Sequence, residues 1–289
     1  MAVRYKLLWL QFIFLIGAGT GCGSGFGSGT SSHTEKEAGM MAPLLATDLA
    51  TIRQGRILFS HHSVGANILA GIKRLDAENS TSGSLHFASL RDAAASRGAM
   101  LVDVSGGRNG APKTKIDFFA ATLRGEKKLK PDLAFMKLCY VDFNPQTDVG
   151  ELFDYYRNTL EALKREYPEI RFGHVTTPLK AWPTEPKWKM YRLMGREVWE
   201  DAANVKRAEF NRLLKQSFGT DPVFDLAQVE ATAPDGSLTT FEQGGQQYSS
   251  LYPGYTEDGG HLNETGQLAA GMAAIRFMAE GLKQRGLAN

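Results

Sequence analysis

Asp258 and His261 lie three residues apart in the stretch EDGGHLNETG, directly before a segment whose apolar spacing predicts a helix. A carboxylate in such a loop can accept a hydrogen bond from one imidazole nitrogen, which leaves the other nitrogen free to act as a base. Gly259 and Gly260 permit the tight backbone path that this contact needs. The spacing alone is equally compatible with a surface loop in front of a capped helix.

A hydroxyl that such a base could activate occurs in ILFSHHSVGANIL, where Ser63 follows an apolar run and two adjacent histidines. A serine at the start of a helix can cap the free backbone amides of the first turn. The same amides can instead stabilise negative charge that develops on a group attacked by the serine. Both interpretations of Ser63 remain open at this point.

Two other chemistries are less well supported by the sequence. The paired histidines, with Asp258 and His261, have the donor types of a metal site, but adjacent histidines rarely reach one ion and no HExxH spacing is present. The stretch GGRNGAPKTK contains Gly, Lys and Thr, but Pro112 before Lys113 removes an amide that a phosphate-binding loop needs. We therefore expect neither a metal ion nor another cofactor.

Apolar runs alternate with amphipathic stretches and predict the elements that must position these residues. Continuous runs of this length are typical of strands buried on both faces of a parallel sheet. The five candidates are Arg56–Ser60, Met100–Val104, Leu133–Cys139, Arg171–Thr177 and Pro222–Leu226. Helical spacing predicts helices over about 152–167, 202–217 and 264–284. The alternation indicates an α/β fold with helices on both faces of the sheet, and its polar sites are expected at the carboxyl ends of the strands.

The order of these motifs resembles the SGNH (GDSL-like) hydrolase family. The resemblance rests on a strand followed by His-His-Ser and a helix, a Gly-rich loop after the second strand, and Asp-x-x-His-Leu-Asn before the last helix. It covers roughly residues 55–285 and implies a flavodoxin-like, three-layer α/β/α sandwich with a five-stranded parallel sheet. It also implies Ser63 as the nucleophile, His261 as the base and Asp258 as the carboxylate that orients the base. The family's Gly-Asp before the serine is replaced here by His61–His62.

The resemblance further implies an oxyanion hole. Its backbone donors would be the N–H groups of Ser63 and Gly110, with Gly107 as the alternative to Gly110. The family's side-chain donor is an asparagine, but Val141 occupies that position and cannot donate. Since loss of one donor costs on the order of 100–1000-fold in rate, a working enzyme needs a substitute. The candidates for this substitute are Asn109, Asn144 and one of the adjacent histidines, His61 or His62, of which we favour His62.

The N-terminal residues have the layout of an export signal. Leu7–Ile16 is an apolar segment behind Arg4 and Lys6, and it is too short to span a bilayer as a stable helix. The small residues before Cys22 resemble a bacterial lipoprotein signal, in which the cysteine is acylated, although Gly19 departs from that pattern. A Gly/Ser-rich stretch follows and predicts a flexible tether. We expect a signal peptide over 1–21, a tether over 22–50 and a hydrolase domain over 51–289, exported and held on the cell envelope by its lipid.

Composition and aromatic content bound the function further. Removal of residues 1–21 deletes two basic and no acidic residues, so the net charge of +2 falls to zero and offers no electrostatic surface for nucleic acid. The aromatic segments 181–200 and 241–255 are candidate walls for a substrate, or packing insertions. We expect a serine esterase that acts on an acylated carbohydrate or another acylated small molecule. Acyl transfer to an envelope polysaccharide, or a catalytically degenerate domain that binds a glycan or a partner, are the alternatives.

Overall fold

Parallel strands form the central sheet of the computed structural model, which describes residues 43–80, 83–125 and 129–283. Its strands are β1 (Arg56–Ser60), β2 (Phe87–Ala88), β3 (Met100–Val104), β4 (Leu133–Met136), β5 (Arg171–Val175) and β6 (Val223–Phe224). Their order is β2-β3-β1-β4-β5-β6, and every neighbouring pair is parallel. Without the edge strand β2, this is the order of a flavodoxin-like sheet. The predicted α/β fold with a parallel sheet is confirmed.

The sheet differs from the prediction in strand number and strand length. β2 is a sixth strand, and two residues at a sheet edge are too few to produce a pattern in the sequence. β1 and β3 have the predicted bounds. β4 and β5 are shorter than predicted because residues 137–139 and 176–177 leave the sheet at its carboxyl edge. β6 is shorter because Asp225 caps α8 and Leu226 begins it.

Helices cover both faces of the sheet. They are α1 (43–52), α2 (Val64–Glu78), α3 (Leu90–Ala95), α4 (Pro112–Gly125), α5 (Val149–Glu166), α6 (Pro186–Leu193), α7 (Trp199–Ser217), α8 (Leu226–Ala231) and α9 (Glu264–Lys283). A small antiparallel hairpin of β7 (Thr240–Gln243) and β8 (Gln246–Ser249) lies outside the main sheet. None of the helices in the described ranges is long and apolar enough to cross a membrane.

The start of the fold differs from the predicted domain boundary. Residues 43–50, assigned to the tether by the sequence, belong to α1, and Leu49 and Ile52 of this helix are fully buried in the core. The predicted signal peptide, Cys22 and the remainder of the tether lie outside the described residues. Burial of α1 explains the difference, because a segment that packs against the domain cannot serve as its flexible linker.

Two hydrophobic cores lie on opposite faces of the sheet, because neighbouring side chains of a strand point in opposite directions. Phe59 of β1 and Phe135 of β4 pack with α1, α2, α8 and α9. Leu58 of β1 and Ala134 of β4 pack with α3, α4, α5 and α7. The three layers that the family resemblance implied are therefore present.

The helices α2 and α9 approach each other closely at two glycines. A Cβ atom on Gly71 would lie 1.8 Å from the backbone oxygen of Gln267, and one on Gly271 would lie 2.6 Å from the carbonyl carbon of Gly71. Each glycine is two turns from the start of its helix. Near those starts, the side-chain oxygen of Asn67 accepts a hydrogen bond from Leu262 N at 3.1 Å. The packing thus brings the beginning of α2 next to the loop that precedes α9.

Candidate active site

The loop before α9 holds an Asp–His pair in direct contact. Nδ1 of His261 lies 2.5 Å from Oδ2 of Asp258. Oδ1 of the same carboxylate accepts hydrogen bonds from the backbone N–H groups of His261 and Gly260, at 2.7 and 2.9 Å. The imidazole hydrogen bond, aided by these backbone donors, holds the pKa of Asp258 far below its usual value. Asp258 is therefore ionised and favours a proton on Nδ1 of His261, and in the neutral imidazole the lone pair is then on Nε2.

Tyr140 lies beside this pair and is a neighbour that sequence reasoning missed. Its hydroxyl oxygen lies 3.3 Å from Nε2 of His261, and the two rings meet edge to face. A Cβ atom on Gly260 would lie 2.9 Å from the Tyr140 ring, so the loop packs closely against it. Burial raises the pKa of Tyr140, which remains a neutral donor. Its position at the end of β4, in the polar string YVDFN, was the available signal.

Ser63 precedes α2 at the same edge of the sheet. Its φ of 34° makes it one of two residues other than glycine with a positive φ in the described ranges. Such a conformation is uncommon for residues with a Cβ and is strained. The side chain does not cap the helix, so the capping interpretation has no support in the contacts. A serine held at a strained strand-to-helix turn is typical of exposed nucleophiles.

The described residues contain no hydrogen bond between Ser63 and His261, whose Nε2 contacts Tyr140 instead. The bond from Leu262 to Asn67 nevertheless joins the loop of His261 to the first turn after Ser63. Catalytic hydrogen bonds are often long in the absence of substrate and shorten only in the reacting complex. The fold therefore brings the loop of His261 next to the start of α2, but Ser63 and His261 do not form a hydrogen bond in this structure.

The paired histidines have different environments, and only His62 forms hydrogen bonds among the described residues. His62 Nε2 lies 2.7 Å from the carbonyl oxygen of Gly106, and Nδ1 lies 3.3 Å from the hydroxyl of Ser105. A carbonyl only accepts, so Nε2 carries the proton of a neutral His62 and that proton is already engaged. His61 is buried against Phe59, with ring centroids 4.7 Å apart. The N–H of a neutral His62 is thus not available to donate to an oxyanion, as had been suggested.

Gly110 also differs from its expected role. Its N–H donates to Oδ1 of Asp142 at 2.9 Å rather than facing an open site. The buried Asp142 carboxylate accepts two further donors, Cys139 N at 2.7 Å and the ammonium of Lys115 at 2.7 Å. Gly107, the alternative, has an N–H with no hydrogen-bond partner in the ranges that the structure covers. Its φ of 81°, and a Cβ that would lie 2.7 Å from Lys115 N, require glycine there.

The two asparagine candidates have different environments. The side-chain oxygen of Asn109 accepts a hydrogen bond from Lys115 Nζ at 2.9 Å. Lysine only donates, so this contact fixes the orientation of the amide and leaves its NH₂ free to donate. The next residue, Gly110, faces Val141, because a Cβ placed on it would lie 4.0 Å from the Val141 carbonyl oxygen. Asn144 instead closes a local turn, accepting from Gln146 N at 2.8 Å. Both amides therefore keep a free NH₂ group, and Asn109 is the one held by a buried lysine.

The aromatic segment after β5 borders the Asp–His loop. Ala181 N donates to the Gly259 carbonyl oxygen at 2.9 Å. Trp182 stacks with Phe241 of the hairpin at 6.4 Å between ring centroids. The guanidinium of Arg192 in α6 also lies over the Trp182 ring, 4.1 Å from its centroid. Trp182 therefore packs within the insertion, whereas α6 buries none of its residues.

Two buried ionisable groups lie beneath the carboxyl edge of the sheet. Glu230 of α8 accepts a hydrogen bond from Leu179 N at 2.6 Å, and burial raises its pKa to about 8. Lys137, directly after β4, is fully buried with its ammonium 3.2 Å from the Leu138 carbonyl oxygen, and burial lowers its pKa. Glu230 consequently loses its proton only near pH 8.

Glu230→Gln is expected to make the protein more stable than the wild type at pH 8–9 and of similar stability near pH 4.5. The folded-state pKa of Glu230 lies above its unfolded value, so its contribution is present at low pH and decreases as the pH rises from 4.5 to about 8. At about 1.4 kcal/mol per pKa unit, the difference reaches a few kcal/mol above pH 8. Urea unfolding at a series of pH values measures it.

The matched control for Glu230→Gln is Glu242→Gln, which changes an exposed glutamate of β7. Its stability curve should follow that of the wild type at all pH values. Parallel curves for Glu230→Gln and the wild type would show that Glu230 titrates normally and that its burial has no energetic consequence.

Comparisons with known proteins do not assign a family. No family model and no curated protein matches the chain. Among solved structures, a platelet activating factor structure from Streptococcus pneumonia covers 86% of this chain and 100% of its own, with 14% identity and a TM-score of 0.45. The match to the periplasmic domain of a lipopolysaccharide acetyltransferase from Salmonella ser. Paratyphi A covers 83% of this chain and 94% of that domain, with 12% identity and a TM-score of 0.44. The match to a structure from Desulfitobacterium hafniense DCB-2, described as a lipolytic protein of the G-D-S-L family, covers 77% of this chain and 99% of that protein, with 10% identity and a TM-score of 0.41.

Proposed function

We propose that this chain is an exported serine hydrolase of the SGNH type that cleaves carboxylic esters. The observation that carries the proposal is the Asp258–His261 pair, which lies beside the strained N-terminus of α2 where Ser63 is found. An ionised carboxylate on Nδ1 and a lone pair on Nε2 are what a general base for a serine requires. The proposal needs no metal ion or other cofactor.

In the proposed reaction, Nε2 of His261 accepts the proton of Ser63 while Oγ attacks the ester carbonyl carbon. Asp258 stabilises the imidazolium that forms and keeps its orientation. The tetrahedral intermediate collapses to an acyl-serine, and the alcohol leaves with the proton from His261. Water then attacks the acyl group, His261 accepts a proton from it, and the acid is released as Ser63 recovers its hydrogen.

The proposed oxyanion hole consists of two backbone donors and one side chain. Ser63 N–H lies at the start of α2, where the helix dipole favours negative charge. Gly107 supplies the second N–H, since that of Gly110 is engaged by Asp142. The amide of Asn109, held by Lys115, replaces the donor that Val141 cannot provide. Before the reaction, the Tyr140 hydroxyl occupies the position at Nε2 that Ser63 must take. It helps to orient the imidazole and does not compete with Asp258 for Nδ1.

The substrate class that we propose is an O-acylated carbohydrate of the envelope or its surroundings. The His261 side chain is 46% exposed, so the site is open enough to accept a bulky acyl acceptor or donor. The export signal and the lipid on Cys22 that the sequence predicts would place the enzyme at the bacterial envelope. The same open site would admit a sugar hydroxyl in place of water, which would give acyl transfer with an identical acyl-serine.

Labelling with a fluorophosphonate probe tests the proposal. The wild type is expected to form a covalent adduct, and Ser63→Ala is expected to form none, because the probe reacts only with an activated hydroxyl. Ser105→Ala removes an exposed serine at the same sheet edge and should label like the wild type. Absence of labelling in the wild type would favour a non-catalytic binding domain, and labelling that persists in Ser63→Ala would assign the nucleophile to another serine.

A further inference from the structure

Large apolar side chains are exposed in one short segment next to the candidate site. Leu193 is 88% exposed, and Met190, Met194 and Trp199 are each more than half exposed. Met190, Leu193 and Met194 follow the i, i+3, i+4 spacing, so they form one stripe on the outer side of α6. We refer to these four residues as the α6 patch. Side chains of this size seldom cluster on a surface that remains in water.

The opposite side of α6 is fixed to the domain, which holds the patch outward. Arg192 forms a two-pronged ion pair with Asp201 of α7, at 2.6 and 2.9 Å. The same guanidinium donates to the carbonyl oxygen of Pro183 at 2.8 Å and covers the ring of Trp182. The exposure of the patch is therefore a property of a docked helix rather than of a loose end.

Basic side chains flank the stripe. At 100° per residue, Lys187 and Lys189 fall on either side of Met190 around the helix axis. Neither lysine forms an ion pair within the part of the chain that the structure describes, and Lys187 lies 4.5 Å from the ring centroid of Trp188. The nearest acidic residues, Glu185, Glu197, Glu200 and Asp201, stand before and after α6 rather than along its stripe.

We propose that the α6 patch docks on a bilayer surface that carries anionic headgroups. An apolar stripe with flanking lysines is the pattern of helices that lie in the interface, with the apolar side chains among the acyl chains and the ammonium groups at the phosphates. The patch adds a second contact to the lipid anchor predicted at Cys22. About 20 residues separate that cysteine from α1, and a flexible chain of this length spans roughly 25 Å, so the anchor would hold the domain close to the membrane surface.

Docking through this patch would orient the candidate site. α6 begins five residues after Ala181, whose N–H is bound to the loop of Asp258 and His261. A bilayer in contact with Met190 and Leu193 would therefore lie next to that loop. The proposal does not depend on the catalytic activity, and Ser63→Ala should dock like the wild type.

Hydrogen–deuterium exchange of the full chain tests the proposal, with or without vesicles of phosphatidylglycerol or phosphatidylcholine. We expect slower amide exchange over residues 186–199 with phosphatidylglycerol vesicles, and unchanged exchange with phosphatidylcholine vesicles or without vesicles. Lys187→Gln and Lys189→Gln should each weaken this docking by about fivefold, the effect of one basic residue at an anionic surface. Leu193→Ser should abolish the protection, and the control Leu238→Ser, at another exposed leucine (52%) outside the α6 patch, should not.

Three results would overturn the proposal. The first is unchanged exchange over 186–199 with phosphatidylglycerol vesicles, since other parts of the chain would then account for any membrane contact. The second is protection that appears on raising the protein concentration without lipid, which would assign the patch to a second copy of the chain. The third is protection by a soluble fatty-acyl ester without vesicles, which would assign it to the substrate.

Discussion

Asp258→Asn is expected to lower kcat/KM for a small activated ester by about ten-thousandfold, with the loss mainly in kcat. In the wild type, Oδ2 of Asp258 accepts a hydrogen bond from His261 Nδ1 at 2.5 Å, so the lone pair of the neutral imidazole is on Nε2. An asparagine can turn its NH₂ group towards Nδ1 and thereby stabilise the tautomer with the proton on Nε2. That tautomer cannot accept the proton of Ser63, although the loop keeps its geometry.

Hydrolysis of p-nitrophenyl acetate by purified variants measures this effect, and the rate of fluorophosphonate labelling measures it independently of acyl-enzyme breakdown. Glu257→Gln changes the adjacent exposed carboxylate and is the matched control, with activity near that of the wild type. Restoration of activity at high pH would be small, because the defect is in the tautomer rather than in a titration. A loss of less than tenfold in Asp258→Asn would show that Asp258 does not orient the base.

The part of this site that could be predicted from sequence is the part held by local contacts. Asp258 and His261 are close in the chain, so their spacing and the intervening glycines indicated the contact that the structure contains. The bounds of β1 and β3 followed from short, mostly apolar runs for the same reason. Local pattern was also sufficient to place Ser63 between a strand and a helix.

The remainder depends on contacts between residues far apart in the chain. The Gly110 amide is captured by a carboxylate 32 residues later, and nothing in the glycine loop itself indicates this competitor. Likewise, Tyr140 reaches His261 across 121 residues, and its partner could be identified only after β4 and the last loop had been placed together. The position of α1 depends on burial in a core that its own short sequence does not define.

The buried pair of Asp142 and Lys115 is the centre of the contacts that hold the glycine loop. Asp142 binds the amides of Cys139 and Gly110, so it joins the end of β4 to the glycine loop. Lys115 binds both Asp142 and the side chain of Asn109. A charged pair buried in this way is a weak source of stability but imposes a specific geometry. Here that geometry fixes the orientation of the Asn109 amide.

Asn109→Ala is accordingly expected to lower kcat by on the order of 100–1000-fold, with little change in KM, since an oxyanion donor acts on the transition state. The matched control is Asn144→Ala, because Asn144 closes a turn through its side-chain oxygen and should leave kcat unchanged. Both variants are compared with the wild type in steady-state ester hydrolysis. The same loss in Asn144→Ala, with Asn109→Ala active, would reverse the assignment.

A second-site variant separates loss of the donor from disruption of the loop. Val141 is 44% exposed beside Gly110, so an asparagine can replace it without entering the core. If Asn109→Ala removes only a hydrogen-bond donor, adding Val141→Asn should recover at least tenfold of the lost kcat, because it supplies an amide at the position where the family resemblance expects one. If Asn109 acts instead by holding Lys115 in place, Val141→Asn cannot compensate, and the double variant will remain as slow as Asn109→Ala.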